Sequence, residues 1–218
     1  MQTLIVGLLD TNCYIYPLES CTESGLQNAA VIDPGGDEGI IIDALHKGGW
    51  FPQWILLTHG HFDHILALSA LCAEYKGVPR VAISAEDRKY IGGTAYDTHY
   101  KVFSRIGCLP YIGGIKASPP PEPDIILDEG TEAGPFTTLL LPGHSAGSAG
   151  FYDKKAGVLF SGDTLFCGGY GRADLIDSDE TALTESLKRL LAMDEKIRVY
   201  SGHGPVTTIG TERARYSL

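Results

Sequence analysis

Thr58-His59-Gly60-His61-Phe62-Asp63-His64 decides how this chain is read. Three imidazoles and one carboxylate fall within six residues, directly after the apolar run Trp54–Leu57, which reads as a short strand. Imidazole and carboxylate are the side chains that hold zinc, iron or manganese. A loop at a strand end points neighbouring residues in different directions. One short segment can then serve two metal ions.

Further along, His144 stands in Leu141-Pro142-Gly143-His144-Ser145, Asp163 in Phe160-Ser161-Gly162-Asp163-Thr164, and His203 in Tyr200-Ser201-Gly202-His203-Gly204. A predicted strand precedes each of them: 137–141, 158–160 and 198–200. Strand ends in one layer converge on one rim, where αβ folds place their sites. Glycine beside each candidate lets the backbone turn sharply or approach closely. Taken singly, each of the three would more often be a structural polar residue. Together with the first motif they put five of the seven histidines in equivalent positions. The other two, His46 near a helix end and His99 in an irregular stretch, read as surface histidines.

The remaining punctuation gives short strands over 3–8, 13–16, 29–32, 81–84, 125–127 and 149–152, with a polar hairpin loop over 19–28. Helices are expected over 37–47, 65–76 and 178–193, with a helical start over 85–90. The Gly- and Pro-rich stretch 92–123, which includes Pro119-Pro120-Pro121-Glu122-Pro123, reads as an irregular excursion over the surface. Periodicity alone establishes mixed α and β and no finer architecture.

The chain has 218 residues, 44% hydrophobic and 20% charged, which suits one globular domain over 1–218. Its net charge of -10 and lack of a basic patch argue against a nucleic-acid partner. The five cysteines are scattered without a C-x-x-C pair, as in a reduced, cytoplasmic protein. Met1 to Leu9 reads as a strand rather than a signal peptide. No apolar run approaches the roughly 18 residues of a membrane span, so no membrane partner is expected. Oligomeric state is not legible.

The constellation resembles the metallo-β-lactamase superfamily and, within it, the small single-domain relatives of glyoxalase II. The motifs that carry the resemblance span nearly the whole chain: Thr58 to His64, Pro142-Gly143-His144-Ser145, Ser161-Gly162-Asp163-Thr164-Leu165-Phe166, Gly169-x-Gly171-Arg172-x-Asp174-Leu175 and Gly202-His203-Gly204-Pro205. The resemblance implies an α/β (α+β) fold, a four-layer αββα sandwich with metals at one edge. It implies two divalent metal ions, zinc first, with iron or manganese as alternatives. One would take His59, His61 and His144, the other Asp63, His64 and His203, and Asp163 would bridge them. Lactam-cleaving classes resemble the chain less, because one major branch has cysteine where Asp163 stands. Cys167 is not expected to be a ligand, since the set is complete without it.

These assignments imply a hydrolase in which a metal-bound hydroxide attacks a carbonyl carbon. A small-molecule thioester such as a hydroxyacylglutathione fits, because a thiolate leaves without needing a proton. Asp63 and Asp163 are the catalytic carboxylates of that reading, and Asp63 would also orient the water. Asp33 is either a turn cap or a carboxylate beneath the metals orienting a ligand. Tyr170 and Arg172 would shape the substrate pocket, Arg172 by binding a carboxylate. Two features depart from the family. Ile65-Leu66-Ala67 replaces the usual Gly-Gly after the motif, and the additional helical domain with which full-length glyoxalase II grips glutathione is not expected in the 15 residues that follow His203. The competing readings are a persulfide dioxygenase with one iron on His59, His144 and Asp163, a non-catalytic metal-binding module, and a nuclease, which the acidic balance disfavours.

Overall fold

The computed structural model describes residues 1–216. The first half forms a sheet from β1 (Gln2–Val6), β2 (Thr11–Cys21), β3 (Gln27–Ile32), β4 (Trp50–Leu56), β5 (Arg80–Ser84) and β6 (Ile125–Leu127), in that spatial order. Its first two pairs are antiparallel and the other three parallel. Parallel pairs need crossovers. These run through α1 (Glu38–Gly48), then α2 (Phe62–Ile65) and α3 (Leu68–Glu74), then α4 (Ala95–Phe103) and α5 (Leu109–Ala117).

The second half supplies β7 (Glu132–Ala133), β8 (Phe136–Leu140), β9 (Ala149–Asp153), β10 (Val158–Gly162), the small hairpin β11 (Leu165–Phe166) and β12 (Gly169–Tyr170), α6 (Glu180–Leu191), β13 (Arg198–Ser201), β14 (Thr207–Thr208) and α7 (Ile209–Arg213). The second large sheet is ordered β14-β13-β10-β9-β8-β7. Only its β10–β13 pair is parallel, joined through α6.

Alternation along the strands makes the layers, because successive side chains leave opposite faces of a sheet. Ala30, Ile32 and Leu56 turn inward onto Tyr14, Phe136, Phe151 and Phe160 between the sheets. Their neighbours Ala29, Val31, Ile55 and Leu57 turn outward onto Ile41, Leu45, Leu68 and Leu71. On the other side Leu139, Leu159 and Val199 meet Leu183, Leu187 and Leu190 of α6. Three apolar layers therefore separate four structural layers, which is the expected αββα sandwich. Each fully buried Leu, Ile or Phe in them stabilises the fold by about 1.5–3 kcal/mol.

Three readings of the sequence need correction. The stretch 92–123 is not irregular throughout, since α4 and α5 occupy 95–103 and 109–117 of it. Ala95, His99, Val102 and Phe103 are buried on one helical face. Pro110 stands in the first turn of α5, where its missing N–H costs nothing. The loop expected over 19–28 is also shorter: β2 runs to Cys21 and β3 restarts at Gln27. The predicted 65–76 helix is two, and the first begins inside the histidine motif. Among the described residues no helix is long and apolar enough to cross a membrane.

Candidate metal centre

All seven predicted donors come together at one rim. His59, His61, Asp63 and His64 follow β4, His144 follows β8, Asp163 follows β10 and His203 follows β13. The rim is sewn across the two sheets by short bonds. Ala149 N–H donates to Thr58 O (2.7 Å) and Asn12 N–H to Gly202 O (2.7 Å). The Asn12 amide donates to Ser201 O (3.0 Å) and Gly204 O (2.8 Å), and Tyr14 Oη to Ser201 O (2.6 Å).

Three groups of potential ligand atoms each lie within 4.8 Å of one another: His59, His61 and His144; His59, His64 and Asp163; Asp63, His64 and His203. Asp163 touches both sides. Its Oδ1 lies 3.5 Å from His64 Nε2, and its Oδ2 lies 3.6 Å from His144 Nε2 and 3.5 Å from His203 Nε2. The Nε2 atoms of His59, His61, His64 and His144, and Asp163 Oδ1, are buried without a hydrogen-bond partner. Burying that many unpaired polar atoms is costly. Their natural partners are divalent cations, for which neutral imidazole and carboxylate are the right donors.

Asp33 spends its carboxylate on Thr58 and His64 and none of it on capping its own turn. It turns the chain with φ 51 and sits under the centre. Its Oδ2 accepts from His64 Nδ1 (3.0 Å) and from Thr58 Oγ1 (2.6 Å), and its Oδ1 accepts from Thr58 N–H (2.8 Å). Because Thr58 spends its hydroxyl proton on Asp33, its oxygen is free to accept from His59 Nδ1 at 3.1 Å. His144 Nδ1 donates to Arg172 O at 2.9 Å. In all three rings Nδ1 thereby carries a proton and Nε2 is turned toward the centre, where it can ligate once the ring is neutral.

The electrostatics agree. Burial, and then the facing imidazoles, hold His59 and His61 well below their ordinary pKa, so both are neutral donors. Burial opposes charge on His64 too, but Asp63, Asp163 and Asp33 overcome it and raise that ring to about 10. Burial would raise Asp63, and His64, His61 and His203 together pull it far below the carboxylate range. The surrounding carboxylates thus favour positive charge at this position, which a bound metal ion would supply.

Glycines make the packing possible. A Cβ on Gly202 would strike Asp163 Oδ1 and lie 2.7 Å from His64 Cε1. Gly202→Ala is therefore expected to displace the Asp163 carboxylate and to lower turnover by about 100-fold, the usual scale for a misplacement of about 1 Å. Metal stoichiometry measured beside activity checks this, and wild-type values for both would contradict it.

His99, read as a surface histidine, is fully buried. The helix that carries it was hidden in the supposed excursion. Its Nδ1 faces Ala95 O (2.7 Å) and its Nε2 faces Gly60 O (3.1 Å), so a neutral ring with one N–H serves one carbonyl at a time. Burial, against those two carbonyls, pushes its pKa down to about 4. The unfolded chain therefore binds a proton here that the folded chain refuses. Stability is present above pH 6.5 and is lost as pH falls through 4, by about 3 kcal/mol at most. Melting curves between pH 7 and pH 4 should decline less steeply for His99→Phe than for the wild type; parallel declines would contradict this.

The Arg172 carbonyl reaches the centre through His144, and Tyr170 stands two residues before it on β12. Arg172 binds Asp174 through Nε (2.6 Å) and Nη2 (2.9 Å), so its charge is already engaged. Both residues line a cavity of about 570 Å³ against α6, which none of the seven donors lines. All five cysteines are free.

This fold and this rim of donors define a metal-dependent hydrolase. The chain belongs to the metallo-β-lactamase superfamily, whose model matches residues 8–203. It is 36% identical over 187 residues to the probable metallo-hydrolase YqgX of Bacillus subtilis, covering 84% of this chain and 83% of that protein. It is 35% identical over 190 residues to the hydroxyacylglutathione hydrolase GloC of Haemophilus influenzae, covering 86% and 85%. Among solved structures it is similar to TTHA1623 in a di-iron-bound form, with 34% identity, a TM-score of 0.77 and coverage of 97% and 96%. It is similar also to the B3 metallo-β-lactamase BLEG-1, with 32% identity, a TM-score of 0.79 and coverage of 98% and 96%. The expectation that lactam-cleaving proteins stand further off does not hold for that neighbour.

Proposed function

We propose that the chain is a binuclear metal-dependent thioesterase. The observation that carries this is the position of Asp163, whose two oxygens lie within 3.6 Å of imidazole nitrogens from both donor groups. His59, His61 and His144 would hold one ion, Asp63, His64 and His203 the other, and Asp163 both. When bound, such a pair brings a water's pKa toward neutrality and polarises a carbonyl. Zinc fits this donor set, and iron is supported by the di-iron-bound relative.

The protein's own part is orientation. Asp63 Oδ2 lies 3.4 Å from His203 Nε2 and 3.5 Å from Thr11 Oγ1. Held ionised, Asp63 can only accept a hydrogen bond, so it aims a water rather than protonating a leaving atom. A thioester suits that limit, because its thiolate departs without a proton. GloC, which acts on a hydroxyacylglutathione by its name, supports the same substrate class. Tyr170 and Arg172 would meet the part of the substrate lying over the α6 cavity.

Lactam hydrolysis is the second reading, favoured by the likeness to BLEG-1. Its nitrogen leaving group needs a proton. The metal-loaded chain is assayed on S-lactoylglutathione and on a chromogenic cephalosporin. Thioester turnover exceeding lactam turnover by at least about 100-fold in kcat/KM supports the proposal, as a difference of nearly 3 kcal/mol in transition-state binding. The reverse order replaces it with the second reading.

A further inference from the structure

Asp87, on the turn after β5, belongs to no motif and holds no position in the donor set. It is nonetheless fully buried. Its Oδ2 accepts from Gly60 N–H at 2.9 Å and from Ser145 Oγ at 2.7 Å, and its Oδ1 accepts from Gly147 N–H at 2.8 Å. Gly60 stands between His59 and His61, and Ser145 follows His144. One carboxylate therefore joins the two loops that supply all three donors of the first group.

The loops are shaped to receive it. A Cβ on Gly147 would strike Ser84 Oγ and lie 2.5 Å from Asp87 N and 2.6 Å from its Oδ1. A Cβ on Gly60 would run into the Tyr90 ring. Ser148 Oγ accepts from Ser145 N–H at 3.0 Å and stands 2.9 Å from Ser145 Oγ, closing the second loop on itself. Nothing comparable links Asp87 to Asp63, His64 or His203, whose ring and loop are set by Asp33 and Asn12.

We propose that Asp87 is a positioning residue specific to the three-histidine position: it fixes the His59–His61 loop against the His144 loop before a metal arrives. This rests on the metal-centre reading, and it separates the control of the two positions. Asp33 sets the tautomers, and Asp87 sets the spacing of one ligand triad. An amide in place of this carboxylate must turn an N–H onto the N–H of Gly60 or Gly147, which forces those loops apart.

The test is metal uptake by the full chain, titrated with Co(II) or Zn(II) against a chromophoric chelator. His144→Ala and His203→Ala assign the two binding steps. Asp87→Asn is expected to weaken the step lost in His144→Ala by 10- to 100-fold, the range for removing a group that orients a ligand. The step lost in His203→Ala should stay within about threefold, well under the tenfold lower bound of that range. The Co(II) absorption of the three-histidine position should shift with it. Leu190→Ala, a buried truncation under α6, controls for general destabilisation and should lower the melting temperature without a selective loss. Where Asp87→Asn does not fold, Ser145→Ala takes its place and should show a smaller loss at the same step. Unchanged affinity at that step, or equal loss at both, overturns the proposal. A wild-type chain that takes up no metal sinks the metal-centre reading instead.

Discussion

Asp163→Ala abolishes turnover and leaves at most one tightly held metal per chain. No other side chain among the described donors pairs with imidazoles of both groups through separate oxygens. Its Oδ1 meets His64 at 3.5 Å, while its Oδ2 meets His144 at 3.6 Å and His203 at 3.5 Å. In the proposed centre, alanine would remove one ligand from each ion and the negative charge placed between the two donor groups. Both positions would then weaken, and with them the shared activation of one water that such a pair supplies. Loss of kcat by at least about 1,000-fold is expected, as for a group acting as a unit with its neighbours. Elemental analysis beside a thioester assay measures both effects. Two retained metals with activity near the wild type would contradict the bridging role.

Asp33→Ala has the second largest effect, and it falls on stability as well as metal binding. The aspartate is buried and accepts three hydrogen bonds, from Thr58 N–H, Thr58 Oγ1 and His64 Nδ1. Removing it leaves three buried donors unpaired, at about 1–3 kcal/mol each before relaxation. Alanine also fits poorly at φ 51. A net loss of about 3–5 kcal/mol in urea unfolding of the metal-free chain is expected, in line with breaking a buried polar network. His59 and His64 lose their enforced tautomers, so metal affinity falls by about 10- to 100-fold. A loss under about 1 kcal/mol would mean that Thr58 and His64 find other partners, since an ordinary hydrogen bond is worth that much.

The seven candidate donors were legible because the histidine motif directly follows one apolar run, and His144, Asp163 and His203 each follow another with glycine beside them, a pattern that local sequence displays. The layers were not. The continuous run Ala29–Ile32 shows that both faces of β3 are covered, but not that aromatics cover one and helices the other. Asp87 was illegible for a different reason. Its partners lie 27, 58 and 60 residues away, and an aspartate after a strand is commonplace. His99 did leave a signal, since Ala95, His99, Val102 and Phe103 have helical spacing, but the glycines and prolines around it outweighed that pattern. Asn12 is the plainest miss: a polar residue in a strand whose amide closes the far rim only once the two halves of the chain meet.

The central claim is a binuclear centre, and metal content tests it most directly. Protein purified without added metal is analysed for zinc, iron and manganese, and the same sample is assayed on S-lactoylglutathione. The account predicts about two metal equivalents per chain, with turnover that falls as they are removed by chelation. One iron per chain, no thioester cleavage, and oxygen consumption on glutathione persulfide would contradict it and make a mononuclear oxygenase the working description.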